Sequence, residues 1–217
     1  DRIVDLSSKM NADGSLLWEA PAGKWVIMRF GHTSTGAVNL PAGESGRGLE
    51  CDKLSKEGSE AAFAGLMGRL VADVGTLAGP TLVSTHIDSW EVSTQNWTAK
   101  MREEFKRLRG YDPLMLLPVM SGRVVDSLEV SERFLWDLRM TVSDLIVENY
   151  ARHTQELAKQ HGIRLSIEAY GEPADDMAYA GTADEPMCEF WSYGAYGAAD
   201  TCTVMASAAR EASKSFT

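Results

Sequence analysis

The sequence has few cysteines, no long apolar run and no excess of basic residues. Its three cysteines, Cys51, Cys188 and Cys202, include no CxxC pair, so we expect no structural zinc site and at most one disulfide. No apolar run approaches the roughly 20 residues that a membrane-spanning helix needs. Because 31 Asp and Glu outnumber 21 Lys and Arg, the net charge is −10. Neither nucleic acid nor an anionic membrane is therefore an expected partner.

Signature motifs of several enzyme classes are also missing. No predicted strand is followed by GxGxxG or by a P-loop, which leaves a dinucleotide-binding fold without support. GxSxG and HExxH do not occur either, so neither a serine hydrolase nor a zinc peptidase is indicated. The chain lacks an initiating Met and a signal peptide, and we expect a piece of a longer protein or a processed product.

The first 48 residues carry β-type patterns. Leu16–Trp18 and Lys24–Phe30 are β-rich runs on either side of a Pro21-Ala22-Gly23 turn, which predicts a hairpin. A long loop rich in Gly, Thr and Ser follows over Gly31–Gly48, and loops of that length are usually functional or flexible. We therefore predict a β-rich N-terminal segment and loop over residues 1–48.

From Leu49 onward, apolar runs alternate with helical periodicity. The predicted strands are 81–87, 163–169 and 187–191, and the predicted helices are 60–74, 98–109, 131–160 and 201–212. Strands that alternate with helices of ten or more residues indicate βα units and a parallel sheet. We predict an α/β fold in which 49–217 forms a partial (β/α)8 TIM-type barrel, with at most about five of the eight units of a whole barrel.

Carboxylates lie where three of these apolar runs end. Glu168 and Glu189 close two of the runs, and Asp88 and Glu91 follow a third. Burying an unpaired carboxylate costs several kcal/mol or more, so such positions are poor choices for stability. In a barrel the active site lies at the carboxyl ends of the strands. The pattern therefore indicates acid/base chemistry at a common rim.

The two glutamates each have a structural alternative. Glu168 shares a strand face with Arg164, so it could instead form an ion pair at a sheet surface. Glu189 lies among apolar neighbours in Pro186–Trp191, which raise the pKa of a carboxyl and suit a proton donor or a poised base. The alternative for Glu189 is an exposed acid at a sheet edge. We take Glu168 and Glu189 as the candidate catalytic pair.

The region around Asp88 suggests binding of a sugar or a cation. His86 and Asp88 alternate onto one strand face, and the carboxylates of Asp88 and Glu91 are hard oxygen ligands of the kind that Ca²⁺ takes. The alternative is a helix N-cap and a surface acid. Polar and aromatic groups of the kind that sugar sites use lie nearby or beside the glutamates. The further candidates for sugar binding are His86, Trp90, Asn96, Trp97, Tyr170 and Trp191.

Eight short segments, taken in order, resemble one family. They are WEAPAGKW (18–25), RFGHT (29–33), GLECDKL (48–54), DSWE (88–91), NWT (96–98), RGYD (109–112), FLWD (134–137) and EFW (189–191). Together they are similar to the α-L-rhamnosidases of glycoside hydrolase family 106, large multidomain bacterial enzymes. The resemblance covers nearly the whole chain, which makes it far more specific than any single motif.

The resemblance implies an inverting, calcium-dependent glycosidase with a (β/α)8 catalytic domain. It makes Glu168 the acid and Glu189 the base, and it puts Asp88 and Glu91 near the sugar and the calcium. The implied partner is a rhamnose-containing oligosaccharide, polysaccharide or glycoside, and the implied location is the bacterial periplasm or the extracellular space. Two alternatives stay open: a non-catalytic carbohydrate-binding or structural fragment, and a retaining β-glycosidase on a related barrel.

Overall fold

The computed structural model describes residues 3–169, 173–189 and 198–214, with the backbone alone for 198–201. The α-helices are α1 (Lys56–Gly65), α2 (Met67–Val74), α3 (Met101–Arg109), α4 (Leu128–Leu145), α5 (His153–Gln160), α6 (Asp176–Thr182) and α7 (Ala198–Glu211). The strands are β1 (Ser84–Ile87), β2 (Arg164–Glu168) and β3 (Glu185–Met187). A π-helical segment spans Ile146–Arg152, and short 3₁₀ segments span Ser7–Lys9, Glu44–Gly46, Gly75–Leu77 and Leu114–Ser121.

The chain divides into two compact units. One comprises Asp1–Thr33 with Ala99–Thr141, and the other comprises Ser34–Thr98 with Val142–Thr217. All three strands belong to the second unit. Our predicted boundary between residues 48 and 49 stays a prediction. No helix of the described residues is long and apolar enough to cross a membrane.

The second unit is built on a parallel sheet of order β1-β2-β3. Ile87 of β1 is level with Ile167 of β2, and Glu168 is level with Met187 of β3. The central strand is buried on both faces, because Leu165 and Ile167 on one side and Ser166 and Glu168 on the other are all at most 6% exposed. Parallel sheets have both faces covered, so this burial is expected. The mixed α/β class is confirmed, whereas closure into a barrel stays a prediction.

Apolar side chains of α1 and α5 pack together next to the start of β2. Phe63 of α1, Ala158 of α5 and Ile163 form one buried cluster, joined by Val71 and Leu157. Full burial of a Phe, Ile, Val or Leu side chain contributes about 1.5–3 kcal/mol through the hydrophobic effect. This packing holds α5 beside the start of β2, the strand that ends at Glu168.

A π-helical segment interrupts what the sequence predicts as one helix over 131–160. The carbonyl of Asn149 in this segment accepts a hydrogen bond from Ser59 Oγ at 2.7 Å, and Asn149 Nδ2 donates to Leu54 O at 2.8 Å. Wide turns of this kind are rare and often lie at functional sites. Here the π-helical segment is hydrogen-bonded both to the residues just before α1 and to α1 itself.

The first unit packs around aromatic rings. Phe105 of α3 and Phe134 of α4 are fully buried with centroids 5.8 Å apart, and Tyr111 meets Phe105 edge to face at 5.0 Å. The phenol of Tyr111 donates to Asp137 Oδ2 at 2.9 Å, so its polar end is satisfied. Such ring pairs add about 0.5–1.5 kcal/mol beyond their area burial.

The predicted N-terminal hairpin is wrong. Residues 3–48 contain no strand, and Leu17, Val26 and Ile27 are 82%, 66% and 61% exposed. Pairing within 3–48 is limited to the isolated bridge between Met10 and Leu16. β-Propensity expresses the packing of a side chain on a neighbouring strand, and the described residues offer these runs no such neighbour.

Several predicted element boundaries are also wrong. The helix predicted over 60–74 is two helices that break at Leu66, and α6 was not predicted. Helix α3 begins at Met101 instead of residue 98, and the Thr98 hydroxyl donates to Asp52 Oδ2 at 2.6 Å. Strand β3 is Glu185–Met187, so Glu189 follows the strand, and residues 190–191 of the predicted strand lie outside the described residues.

Candidate active site

Three carboxylate-bearing strand ends lie at the same edge of the sheet. Asp88 directly follows β1, Glu168 is the last residue of β2, and Glu189 lies two residues beyond β3. The register places Ile87 beside Ile167 and Glu168 beside Met187, so the ends are level. The carboxyl edge of neighbouring parallel strands is where ligands bind in open α/β sheets.

Asp88 and Glu168 are hydrogen-bonded to each other and share the backbone N–H of Ser89. This N–H donates to Asp88 Oδ1 at 2.9 Å and to Glu168 Oε2 at 3.1 Å. Burial, then the hydrogen bond to Asp88 and the charges of Glu189 and Asp88, raise the pKa of Glu168 to about 7. The hydrogen bonds from Ser89 and Glu168 lower the pKa of Asp88. Of the two, Glu168 is therefore the carboxyl that keeps its proton up to about pH 7, and its hydroxyl then donates to an ionised Asp88.

The alternative role for Glu168, an ion pair with Arg164, does not occur. Arg164 lies at the start of β2, and its guanidinium binds Glu185 with Nη2 3.0 Å from Oε1. Glu168 is 6% exposed and lies at the other end of the strand. Because its charged form has no described cation beside it, the environment favours the neutral acid.

His86 connects the first two strands on the same side of the sheet as the carboxylates. Its Nδ1 lies 2.8 Å from Ser166 Oγ, and its Nε2 lies 4.0 Å from Asp88 Oδ1. The imidazole is 39% exposed, so it can reach a bound molecule. The predicted common face of His86 and Asp88 is thereby observed, and the hydrogen bond to Ser166 fixes the ring.

A cavity of about 150 Å³ opens beside Asp88. Its lining residues are Leu40, Pro41, Glu50, Lys53, Ile87, Asp88, Ser89, Trp90, Glu91, Val92, Tyr150 and Tyr179. The lining joins aromatic rings to carboxylates, as expected for a site that holds a sugar face and its hydroxyls. Its volume is below the about 300 Å³ at the lower end of ligand pockets, so the cavity alone is too small to enclose a whole oligosaccharide.

Lys53 is a buried cation in this cavity that sequence reasoning missed. It is 5% exposed, its ammonium forms an ion pair with Glu50, and it lies 5.4 Å from the Trp90 ring centroid and 5.3 Å from that of Tyr150. Burial raises the pKa of Tyr150 well above its ordinary value, which keeps the phenol protonated. An ammonium over two aromatic faces is held by cation–π attraction, which strengthens as water is excluded.

The backbone that carries Lys53 is fixed by buried polar contacts. Gln95, 8% exposed, accepts from the Lys53 N–H at 3.0 Å and donates to Cys51 O at 3.0 Å. Gly58 in the first turn of α1 approaches Asp52 so closely that a Cβ there would lie 2.1 Å from the Asp52 carbonyl oxygen. Only glycine fits this approach, so α1 and the loop before it pack directly together.

The other sequence-predicted site residues divide into three groups. Trp90 and Glu91 line the cavity; the Trp90 indole donates to Ser93 O at 2.8 Å, and Glu91 accepts from Ser89 Oγ at 3.3 Å. Asn96 is exposed and Trp97 half-buried, and neither is among the lining residues. Tyr170 and Trp191 lie outside the described residues.

The described residues hold no cluster of three or more His, Cys, Asp or Glu side chains with the spacing of a metal site. Asp88 and Glu91, our predicted calcium ligands, both line the cavity. Asp88 is ionised at neutral pH and 76% exposed, which suits a hard cation. The donors fit calcium in kind but supply only two of the about six to eight oxygens that it takes.

The chain is similar to a known protein family and to two individual proteins. The sequence profile of the alpha-L-rhamnosidase family matches residues 1–216. A Formosa agariphila protein named "Putative beta-glucuronidase" is 44% identical over 192 residues, which are 88% of this chain and 16% of that protein. The structure of a rhamnosidase from Novosphingobium sp. PP1Y superposes with a TM-score of 0.81 at 30% identity, covering 95% of this chain and 21% of that one. The chain thus spans about a fifth or less of the length of these relatives.

Proposed function

This chain belongs to the α-L-rhamnosidase family of glycoside hydrolases, and from that membership we propose that it supplies the acid/base residues of an enzyme that removes terminal α-L-rhamnose with inversion. The observation that carries the proposal is the protonation of Glu168 and the ionisation of Asp88 at the carboxyl edge of the sheet. Glu168 keeps its proton to about pH 7 beside an ionised Asp88, on the same edge as Glu189. A carboxyl group that is still protonated near neutral pH is what the general acid of a glycoside hydrolase requires.

Glu168 acts as the general acid in this proposal. Its hydroxyl transfers a proton to the glycosidic oxygen as the bond from that oxygen to the anomeric carbon breaks. The Ser89 N–H, 3.1 Å from Glu168 Oε2, stabilises the carboxylate that forms. Asp88 accepts the Glu168 hydrogen bond before transfer and so orients the acid.

Glu189 acts as the general base. It takes a proton from a water that attacks the anomeric carbon from the opposite face of the ring, so the product has the inverted anomeric configuration. Exchange with solvent then returns the proton to Glu168. An inverting pair leaves room for this water with its carboxyl groups about 6.5–9.5 Å apart, whereas a retaining pair is about 5–5.5 Å apart. We expect the wider spacing.

The proposal extends to the architecture and setting of the enzyme. We propose that β1, β2 and β3 are neighbouring strands of a (β/α)8 barrel, because the carboxylates lie at the carboxyl edge where barrel enzymes keep their sites. The substrate is a rhamnose-containing oligosaccharide, polysaccharide or glycoside, and the location is periplasmic or extracellular. The aromatic cavity beside Asp88 supports a saccharide ligand.

A uronide is the second candidate substrate, and one observation favours it. The Formosa agariphila relative is named for β-glucuronides, and the cavity beside Asp88 holds the buried ammonium of Lys53. The C6 carboxylate of a uronic acid, a group that rhamnose lacks, would bind this ammonium by sharing it with Glu50 or by displacing Glu50 from it. The two candidates thus differ in whether Lys53 contacts the substrate.

Hydrolysis of paired substrates tests both candidates. We expect the protein expressed from its complete gene to cleave an aryl α-L-rhamnoside faster than an aryl β-D-glucuronide, with the β-anomer of rhamnose as the first product in proton NMR. First release of the α-anomer would contradict inversion, and faster cleavage of the glucuronide would favour the second candidate. Binding of rhamnosides without any cleavage would support the non-catalytic alternative.

Calcium is a further part of the proposal. Asp88 and Glu91 would hold it, and a bound Ca²⁺ would attract neighbouring hydroxyl groups of the sugar. We expect removal of calcium with EDTA to lower activity at least about tenfold, and we expect Ca²⁺ to restore it better than Mg²⁺, which demands a smaller octahedral site. Initial rates after dialysis measure this. Full activity after chelation would show that no exchangeable calcium is needed.

A further inference from the structure

The structure pairs two of the three cysteines. Cys188 directly follows β3, and Cys202 lies in the first half of α7. Their sulfur atoms are 2.7 Å apart although the residues are 14 positions apart in sequence. Both side chains are half-buried, and Cys51 is not part of the contact. We propose that Cys188 and Cys202 form a disulfide that fastens the end of β3 to α7.

The surroundings favour a disulfide over a reactive thiol. Burial, the hydrogen bond with Cys202 and the negative charge of Glu168 raise the pKa of the Cys188 thiol to about 12. A nucleophilic cysteine instead needs a lowered pKa from a neighbouring cation or helix N-terminus. Bond formation requires the sulfurs to close to about 2.05 Å, a movement smaller than 1 Å from their present contact. The two sulfur atoms are therefore within reach of a bond.

The oxidant is a low-molecular-weight disulfide such as oxidised glutathione. One cysteine loses its proton, attacks a glutathione sulfur and releases one glutathione thiol. The second cysteine then loses its proton and attacks the mixed disulfide, which forms the protein S–S bond and releases the second glutathione thiol. Two cysteine thiols are oxidised, one small disulfide is reduced to two thiols, and the two protons pass to the released thiols.

The bond would act directly on the proposed site. Cys188 is the residue before Glu189, and Met205 of α7 is fully buried, so α7 is firmly packed. A covalent link from Cys188 to this helix restricts the backbone that carries the proposed base. This effect on activity rests on the proposed function, whereas formation of the bond does not.

Thiol mapping tests the bond itself. The protein from its complete gene is equilibrated in a glutathione redox buffer, quenched in acid, unfolded, alkylated and digested for mass spectrometry. We expect a cross-linked peptide pair containing Cys188 and Cys202, and their alkylation about tenfold or more below that of Cys51, because structural disulfides resist reduction by the glutathione pool. Equal alkylation of all three, or glutathione attached separately to Cys188 and Cys202, would overturn the proposal.

Two variants sharpen the result. Cys51→Ser should keep the cross-link, and Cys202→Ser should lose it and leave Cys188 open to alkylation. A cross-link that includes Cys51 would contradict the pairing. On a rhamnoside substrate, a reductant should lower the kcat of the wild type several-fold but leave that of Cys202→Ser unchanged. If no glycoside is cleaved at all, the proposed function fails while the mapping result stands.

Discussion

Replacing Glu168 with Gln should lower kcat for an alkyl α-L-rhamnoside by about 10²–10⁴-fold, the usual contribution of a positioned general acid. Gln keeps the size of the side chain and can still accept from the Ser89 N–H, so substrate binding should be nearly unchanged. The loss should shrink for a 4-nitrophenyl rhamnoside, because that leaving group departs without protonation. Comparison of kcat and Kd for the two substrates measures both effects.

The pH profile provides a second readout of the same change. Burial raises the pKa of Glu168 to about 7, and its protonated form is the active one. Activity should therefore be present below this pKa and fall as pH rises through about 7. This limb should vanish from kcat/KM in Glu168→Gln, since the profile of kcat/KM reports groups of the free enzyme.

Glu185→Gln is the matched control. It makes the same chemical change in the same sheet, at the start of β3, where Glu185 binds the half-exposed Arg164. An ion pair that is partly exposed contributes about 0–1 kcal/mol to stability, so the fold should tolerate the loss. Normal activity in Glu168→Gln, or an equal loss in Glu185→Gln, would contradict the acid assignment.

Replacing Glu189 with Ala should lower kcat by a similar factor of about 10²–10⁴, because water then attacks without a base. Azide is a nucleophile that needs no deprotonation, and truncation to Ala leaves space for it. We expect azide to restore cleavage of 4-nitrophenyl α-L-rhamnoside and to give β-L-rhamnosyl azide. Product NMR identifies the anomer.

The azide product also tests the stereochemistry. Rescue with the α-azide would indicate that azide attacks the anomeric carbon of a covalent glycosyl-enzyme intermediate and displaces the enzyme carboxylate, and hence a retaining enzyme. Activity retained without azide would remove Glu189 from the mechanism. Glu185→Ala, treated with azide in parallel, should show wild-type cleavage and no glycosyl azide.

The sheet edge could be predicted because its signal is local in sequence. Glu168 and Asp88 each follow a short apolar run, and parallel strands bring such ends together. The difference in protonation between them could not be predicted, because it comes mainly from the burial of Glu168, which raises its pKa, and from the hydrogen bond of the Ser89 N–H, which lowers the pKa of Asp88. Their roles as acid and ligand, like that of Glu189, stay predictions.

The cavity beside this edge was missed because its parts are distant in sequence. Lys53 meets Trp90 and Tyr150, and its backbone is held by Gln95. In sequence, a lysine after Glu50 and Asp52 is typical of a solvated charge run. The N-terminal hairpin was wrongly predicted for the opposite reason. The β-propensity of Val26 and Ile27 is a local signal, and it carries no information about a pairing partner.

The number of residues in the π-helical segment determines which side of α5 faces the neighbouring helices. Each residue of an α-helix turns the chain by about 100°, so insertion of one further residue into Ile146–Arg152 would rotate α5 by about that amount relative to Leu145. His153 would then leave Glu60, which its Nε2 now meets at 2.9 Å. Single-residue insertions here should therefore be far less tolerable than substitutions, because the number of residues, and not the identity of the side chains, determines which side of α5 faces its neighbours.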